Sequence, residues 1–361
     1  MKQDSKIKVV FVLPSLVAGG AERVISFISQ NIDKEKFESI LLIAGSSNET
    51  AYDIRNVEVK YLNKSRVLHA IPYILLFLVN KKPNIVLSSI SHLNTVMGLF
   101  SPFFINTKFI GREANVLSLK KHFITKKRFL NKLPLIKIAY KNLDIILCQS
   151  IDMYNDMKLN YNIPSRKLRI INNPITDGFK PKSENYNNDG IVKFITVASL
   201  KKQKGHERII YAIAKLKFPY QYTIIGDGPE RNNIFELINK LGIRDNIVHI
   251  PYTKEVSMYL AQNNLFLQGS YVEGFPNCLI ESCSVGTPII AYRAPGGLNE
   301  IIEHGVNGYI ADNDEEFVKY LFKAITAKKW NSKIIIDSVN IKFNKDIILK
   351  KYEELFIDIL K

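Results

Sequence analysis

The sequence predicts an α/β protein built from two doubly wound domains in tandem. Three observations carry this. Short apolar runs of strand length alternate with segments whose apolar residues recur at helical spacing, the pattern of parallel sheets covered by helices. The alternation stops once, in a polar stretch near the middle, and then restarts. The chain has 361 residues, 46% hydrophobic and 23% charged, enough for two domains that each bury a core.

The first run, Ile7 to Leu13, reads as a buried strand. A glycine turn, Ala18-Gly19-Gly20, follows, and Ala21 to Ile32 then carries helical periodicity. Strand, glycine turn and helix form the opening step of a doubly wound sheet. Ser39–Ala44, Ile85–Ser89, Lys108–Gly111 and Ile145–Ser150 are the next strand candidates. From Lys180 to Gly190 the chain is polar and rich in turn formers and reads as a linker, so the domains are expected at 1–180 and 181–344. Beyond it, Val192–Ser199, Tyr222–Gly226, Ile247–Ile250, Leu265–Gln268 and Pro288–Ala291 are strand-like. His206–Lys217 and Arg231–Leu241 are helical in period. The last segment, 345–361, reads as an amphipathic helix expected to pack back on the first domain.

Charge separates the two halves. Residues 1–180 hold 27 Lys and Arg against 13 Asp and Glu, whereas residues 181–361 hold 23 against 21. A compositional bias toward Lys would enrich both halves, so the first half is expected to meet something anionic. The stretch Leu119 to Lys141 is basic with interleaved apolar residues and a break at Pro134. It predicts contact with an anionic membrane surface through Lys126, Lys127, Arg128 and Phe129. An ordinary helix packed on the sheet is the alternative. The longest apolar run, Val67 to Val79, contains His69 and Pro72 and is too short to span a bilayer. The start lacks the apolar core of a signal peptide, and Cys148, Cys278 and Cys283 stand in no metal or redox spacing. The expected location is cytoplasmic, peripheral on the inner face of the inner membrane.

The densest chemistry lies in Glu273-Gly274-Phe275-Pro276-Asn277-Cys278-Leu279-Ile280-Glu281, which follows the strand Leu265–Gln268 and the turn Gly269-Ser270. Gly274 permits close backbone approach, and Pro276 suits the first turn of a helix. The amides from Gly274 to Asn277 would then form a helix N-terminus, which favours a phosphate. Glu281, about two turns on, is placed to accept hydrogen bonds from ribose hydroxyls, and Glu273 lies ahead of the helix near a phosphate-linked sugar. Two unrelated acids on a surface helix are the alternative for the spacing alone.

The flanking motifs decide between these. Ala18-Gly19-Gly20-Ala21-Glu22-Arg23, Asn172-Asn173-Pro174-Ile175, Val197 to His206, Gly226-Asp227-Gly228-Pro229-Glu230-Arg231 and the two-glutamate run occur in order at compatible spacing. Together they resemble glycosyltransferase family 4 over nearly the whole length. The resemblance implies the GT-B fold, two Rossmann-like domains facing a central cleft, and transfer with retention of anomeric configuration. It further implies that Glu281 binds the donor ribose, that Glu273 contacts the donor sugar and that Lys204 contacts the diphosphate. Gly19 and Gly20 would leave room where the first domain closes. One position departs from the family: Ser199 stands where an Arg is usual, so the cationic clamp is half missing. Lys201, Lys202 and Arg231 are candidates to compensate.

His92 directly follows the strand at Ile85–Ser89, and related enzymes often place a histidine there against the donor sugar. Arg112-Glu113 follows the next strand and reads either as cleft lining or as a surface ion pair. Asp312-Asn313-Asp314 reads as a solvated helix start rather than a metal site, and enzymes of this fold generally need no metal, so none is expected. The glycine turn lacks the dinucleotide fingerprint, so no NAD is expected.

The resulting expectation is a UDP- or GDP-linked sugar as donor, supplying a hexose or N-acetylhexosamine to a hydroxyl of a saccharide or polyprenyl-linked acceptor in surface polysaccharide (lipopolysaccharide or capsule) synthesis. A same-fold nucleotide-sugar epimerase and a non-catalytic partner of a glycosyltransferase are the alternatives. A nucleic-acid-binding protein would explain the basic half and not the two-glutamate run; no nucleic acid is expected.

Overall fold

The computed structural model describes residues 6–122, 133–182, 190–327 and 329–361. Two compact units emerge: Met1–Pro174 with Lys345–Lys361, and Ile175–Asn344. The membrane residues expected at Lys126, Lys127, Arg128 and Phe129 lie outside the described residues, as do positions 183–189 of the expected linker.

The first unit runs β1 (Ile7–Leu13), α1 (Gly20–Asn31), β2 (Phe37–Ile43), β3 (Glu58–Tyr61), α2 (Val67–Lys81), β4 (Ile85–Ser89), α3 (Ser91–Phe100), β5 (Lys108–Arg112), α4 (Leu133–Asn142), β6 (Ile145–Cys148), α5 (Ile151–Asn160) and β7 (Leu168–Ile170). Its seven strands are all parallel, in the order β3-β2-β1-β4-β5-β6-β7. Strand β1 is central and covered on both faces, and Val9 to Leu13 are fully buried. A strand buried on both faces needs a continuous apolar run, which is what the sequence supplies there.

The second unit runs β8 (Val192–Val197), α6 (His206–Ile213), β9 (Tyr220–Ile225), α7 (Arg231–Lys240), β10 (Ile247–Ile250), α8 (Val256–Ala261), β11 (Leu265–Gln268), α9 (Asn277–Ser284), β12 (Ile289–Tyr292), α10 (Leu298–Ile301), β13 (Gly308–Ala311), α11 (Asp314–Thr326) and α12 (Ser332–Phe343). Its parallel sheet has the order β10-β9-β8-β11-β12-β13. The final helix, α13 (Lys345–Asp358), belongs to the first unit. There Phe356 packs edge-on against Phe11 and Phe37, with centroids 6.2 and 5.8 Å away. Ile348, Tyr352 and Leu355 of α13 join the core between β1 and α1.

Two strands escape the sequence pattern. Strand β3 has no fully buried residue, and β7 has one, Leu168. Both are sheet edges, where half-exposed chains lose the apolar signature. The break expected at Pro134 falls at the edge of the described residues, which resume at Leu133. Pro134 is the second residue of α4.

Candidate active site

In open α/β sheets ligands bind at the carboxyl ends of strands, where the strand order reverses. The second sheet reverses between β8 and β11, which are hydrogen-bonded neighbours. The loop after β8 carries Ser199 to Gly205, and the loop after β11 carries Gly269 to Pro276. The topology therefore brings the third and fifth sequence motifs side by side.

Two glycines let these loops meet. Gly205 has φ +57, and a Cβ on it would lie 2.1 Å from the Gly269 carbonyl oxygen. A Cβ on Gly269 would lie 2.2 Å from the carbonyl oxygen of Gly205. Backbone cannot yield as a side chain can, so neither position accepts a larger residue without displacement. The seam is then tied: the Tyr271 amide donates to the Gln203 carbonyl at 2.9 Å, and Gln203 Nε2 donates to the Val272 carbonyl at 2.8 Å.

This approach places Lys204 against Glu273. Lys204 Nζ lies 2.7 and 2.9 Å from the two carboxylate oxygens. Glu273 is 6% exposed, and its Oε1 also accepts from Ser270 Oγ at 2.6 Å and from Gln268 Nε2 at 3.2 Å. Its backbone amide donates to the Pro295 carbonyl at 2.8 Å. Burial pushes the Lys204 ammonium toward deprotonation, but the adjacent Glu273 carboxylate outweighs this and holds its pKa above the ordinary lysine value. Lys204 is thus a fixed cation at neutral pH.

Helix α9 continues the site. Pro276 is its N-cap residue, one position earlier than expected, and Asn277 opens the helix. Gly274 and Pro276 are buried. The Phe275 ring packs edge-on against Phe343 at 5.3 Å within the core, so only its backbone faces the site region. Glu281 lies on the same helix, 4% exposed.

The Ser199 carbonyl, rather than its hydroxyl, is the group seen at work. It accepts from His206 Nε2 at 3.2 Å and from the Lys201 amide at 2.9 Å. His206 is 1% exposed; burial drives its pKa down to about 4, so the ring is neutral. The fourth motif packs on this loop, the Leu200 amide donating to the Asp227 carbonyl at 3.0 Å and the Glu230 amide to the Leu200 carbonyl at 2.9 Å. Of the cations offered as substitutes for the usual Arg, Lys201 and Lys202 are exposed, and Arg231 pairs with Asp227 at 3.7 Å.

The first unit has its own reversal, between β1 and β4. Gly19 caps α1, and Gly20 begins it, beyond the end of β1. Gly19 has an extended φ of −156°, and its Cβ position is filled by the Glu22 carboxylate, a flexible group. His92 is the second residue of α3, exposed, just past β4. The N-cap of α3 is Ile90, with φ +78 and ψ +131. A β-branched residue rarely adopts that conformation.

Arg112 and Glu113 are neither a surface ion pair nor exposed cleft lining, since each is 1% exposed. They also part company. Arg112 donates to Asn173 Oδ1 at 2.5 Å and to Ser89 Oγ at 3.3 Å, whereas Glu113 accepts from Asn94 Nδ2 at 3.1 Å and from the Tyr140 hydroxyl. Successive residues leaving a strand point to opposite faces, which separates them. The second motif is therefore joined to β4 and β5 through Asn173.

The acidic triplet is accounted for at a helix start. Asn313 Oδ1 caps α11 by accepting the Glu316 amide at 2.9 Å, Asp314 accepts from the Tyr292 hydroxyl at 2.9 Å, and Asp312 pairs with Arg293. Among the described residues no three His, Cys, Asp or Glu side chains gather as a metal site. Gln268 and Ser270, which hold Glu273, and Gln203, which ties the two loops, escaped sequence reading. Gln268 and Ser270 border Gly269, and Gln203 precedes Lys204, which was the available signal.

Comparison with known proteins bears on the fold and the enzyme class. Residues 179–337 match the family model for glycosyl transferases group 1. The chain is 25% identical over 319 residues to N-acetylgalactosamine-N,N'-diacetylbacillosaminyl-diphospho-undecaprenol 4-alpha-N-acetylgalactosaminyltransferase of Campylobacter jejuni, covering 84% of this chain and 85% of that one. It is 30% identical over 159 residues to the O-antigen biosynthesis glycosyltransferase WclY of Escherichia coli, covering 42% and 43%. Among solved structures, Anabaena HepE in complex with UDP and glucose superposes with a TM-score of 0.84 at 16% identity, covering 98% and 100%. The lipopolysaccharide outer core galactosyltransferase WaaB superposes at 0.75 and 19%, covering 98% and 99%. The chain is a glycosyltransferase with the GT-B fold, and its residues 179–337 match the model of the glycosyl transferases group 1.

Proposed function

We propose that the enzyme moves a hexose or N-acetylhexosamine from a UDP- or GDP-linked sugar to a hydroxyl of a lipid-linked saccharide, with retention of configuration. The observation that carries the reading is the buried Lys204–Glu273 pair at the strand-order reversal, ahead of helix α9. A departing nucleoside diphosphate gains negative charge, and a fixed ammonium beside helix N-terminal amides favours that charge over the ground state. In this reading Lys204 holds the diphosphate, Glu281 accepts the ribose hydroxyls, and Glu273 fixes Lys204 while meeting the donor sugar. The backbone from Gly274 to Asn277 faces the phosphates, and His92, Gly19 and Gly20 serve the sugar from the first unit. Ser199 contributes at most a neutral hydrogen bond, about half the strength of a charged one. Lys201 and Lys202 supply the remaining positive charge. No metal enters the proposal. The acceptor reading is supported by the undecaprenyl-linked substrate in the name of the Campylobacter relative. The basic first half supports a peripheral position on the cytoplasmic face of the inner membrane.

The test is a melting-temperature screen with UDP, GDP and their sugars, since a ligand bound to the native state raises apparent stability. One nucleoside diphosphate should stabilise the wild type and fail to stabilise Glu281→Ala. Equal shifts in both proteins remove Glu281 from the site. Nuclear magnetic resonance of the glycoside product, showing inverted anomeric configuration, would overturn retention.

A further inference from the structure

One surface of the first unit is used by none of the chemistry above. Helix α2 buries Ala70, Ile74 and Leu78 against its own unit. On its other side Leu68, Leu76 and Val79 are 71%, 60% and 54% exposed. Positions 68, 72, 76 and 79 recur at helical spacing, so these side chains and the exposed Pro72 form one stripe. Single exposed apolar residues are ordinary; an ordered stripe of this kind marks an interaction surface.

The rim of the stripe is cationic. Arg66 is the N-cap residue of α2 and Lys82 its C-cap residue. Lys64 Nζ lies 4.0 Å from the centroid of the Tyr73 ring, which is itself 49% exposed. One acid reaches this helix, Glu58, which pairs with Lys81 in its last turn at 3.0 Å; the sequence then holds no Asp or Glu up to Glu113, which is buried. Just past α2, Thr107 Oγ1 donates to the Pro83 carbonyl at 2.7 Å and so holds the 101–107 loop beside the helix end. That loop exposes Phe103 and Ile105 at 77% and 88%. Yet no described helix is long and apolar enough to cross a membrane.

We propose that the outer face of α2, with the 101–107 loop beside it, is the surface by which the first unit rests on an anionic lipid bilayer. Apolar side chains at this spacing enter the acyl boundary, while cations at the helix ends meet headgroup phosphates. The assignment rests on the peripheral-membrane reading above and places a contact at α2 in addition to the one expected at 126–129.

The test uses the full chain and vesicles of phosphatidylcholine with or without phosphatidylglycerol. Wild type should sediment with the anionic vesicles and be released by salt. Leu68→Ser with Leu76→Ser should weaken binding roughly tenfold per residue, from the apolar area withheld. Arg66→Ser with Lys82→Ser should weaken it about fivefold per charge. Leu76→Trp, made in a Trp330→Phe background, should shift its emission to the blue on anionic vesicles only. Unchanged melting temperatures are expected, because the altered side chains face outward.

Each result has a distinct meaning. Failure of the wild type to bind anionic vesicles overturns the membrane reading and this surface with it. Wild-type binding that the α2 variants retain leaves the membrane reading intact and overturns the α2 assignment. If the chain is a dimer that Leu76→Ser converts to a monomer, a second copy covers the stripe and the proposal fails.

Discussion

The two units turn their chain by different means. Among the described residues every glycine with positive φ lies in the second unit, from Gly178 to Gly305, and every non-glycine with positive φ lies in the first. Those five are Asn56, Asn63, Lys82, Ile90 and Asn162. Asn tolerates the left-handed region, and Lys82 ends a helix there, which leaves Ile90 as the outlier. The charge differs as well, since the basic excess sits almost wholly in the first half. Close backbone approach occurs in both units, at Gly98 against the Ala139 carbonyl in the first, but only in the second does it join two loops at the strand-order reversal, which suits a small ligand held by amides and one cation. The first is shaped by side chains and diffuse charge, which suits a broad anionic surface.

The largest expected effect lies at the fixed cation. Lys204→Met should lower turnover by about two to three orders of magnitude, the usual cost of losing one preorganised transition-state stabiliser. It should also lower stability by roughly 3 kcal/mol, because Glu273 would remain buried without its counter-charge. Full turnover in a folded Lys204→Met enzyme would place the diphosphate elsewhere. No single cation of the exposed α2 rim should matter comparably to turnover on a soluble acceptor.

A second test separates close approach from backbone conformation. Gly269→Ala forces a Cβ onto the Gly205 carbonyl and should cost about 3 kcal/mol in urea unfolding, with loss of activity through Lys204. Gly178→Ala meets nothing within 4 Å and pays only for its φ of +97, about 1 kcal/mol. Equal costs at the two positions would mean that the seam between the β8 and β11 loops does not require its glycines.

Much of this seam was legible in the sequence. Lys204, Gly205, Glu273 and Glu281 stand out because their motifs occur in the order of the family they resemble, and strands such as Ile289–Tyr292 and Leu265–Gln268 are readable as short, mostly apolar runs. What stayed hidden depends on three-dimensional proximity. The Lys204–Glu273 pair joins residues 69 positions apart. Nothing local to Gln268 or Ser270 reveals that both serve one carboxylate. The Arg112–Glu113 dipeptide misleads for the opposite reason: adjacency in sequence suggests a pair that the strand's alternation forbids. The exposed stripe of α2 was hidden because an apolar run reads as core until its outward face is seen.

His206 offers a smaller, pH-dependent test. Its pKa falls to about 4 in the folded protein because burial disfavours the charged ring. The unfolded chain therefore binds a proton that the native one refuses, and stability falls as pH drops from about 6.5 toward 4. Between pH 7 and pH 5 this should amount to about 2 kcal/mol, read from urea midpoints. His206→Asn should flatten that difference. A variant whose pH dependence matches the wild type would show that other groups set the acid sensitivity.

The smallest expected change in stability is the most telling about the first unit. Ile90 links β4 to α3 with φ +78, at the reversal of the first sheet and two residues before His92. Its amide donates to the Arg112 carbonyl at 3.3 Å, and its carbonyl accepts from the Leu93 and Asn94 amides at 3.0 Å, so both sides of the turn are held. Such a conformation costs a β-branched residue on the order of 1–3 kcal/mol, while glycine adopts it freely. Ile90→Gly removes that strain and loses the packing of a half-buried side chain, so a net gain of about 1 kcal/mol is expected. Turnover should move the other way, by several-fold, because a freer junction lets the start of α3 sample orientations in which His92 is misplaced. Opposite signs in melting temperature and turnover would mark the strain as functional. A variant that melts lower than wild type and turns over normally would mean that Ile90 is there for packing, and the second unit's use of glycine at its turns would then reflect ligand approach alone.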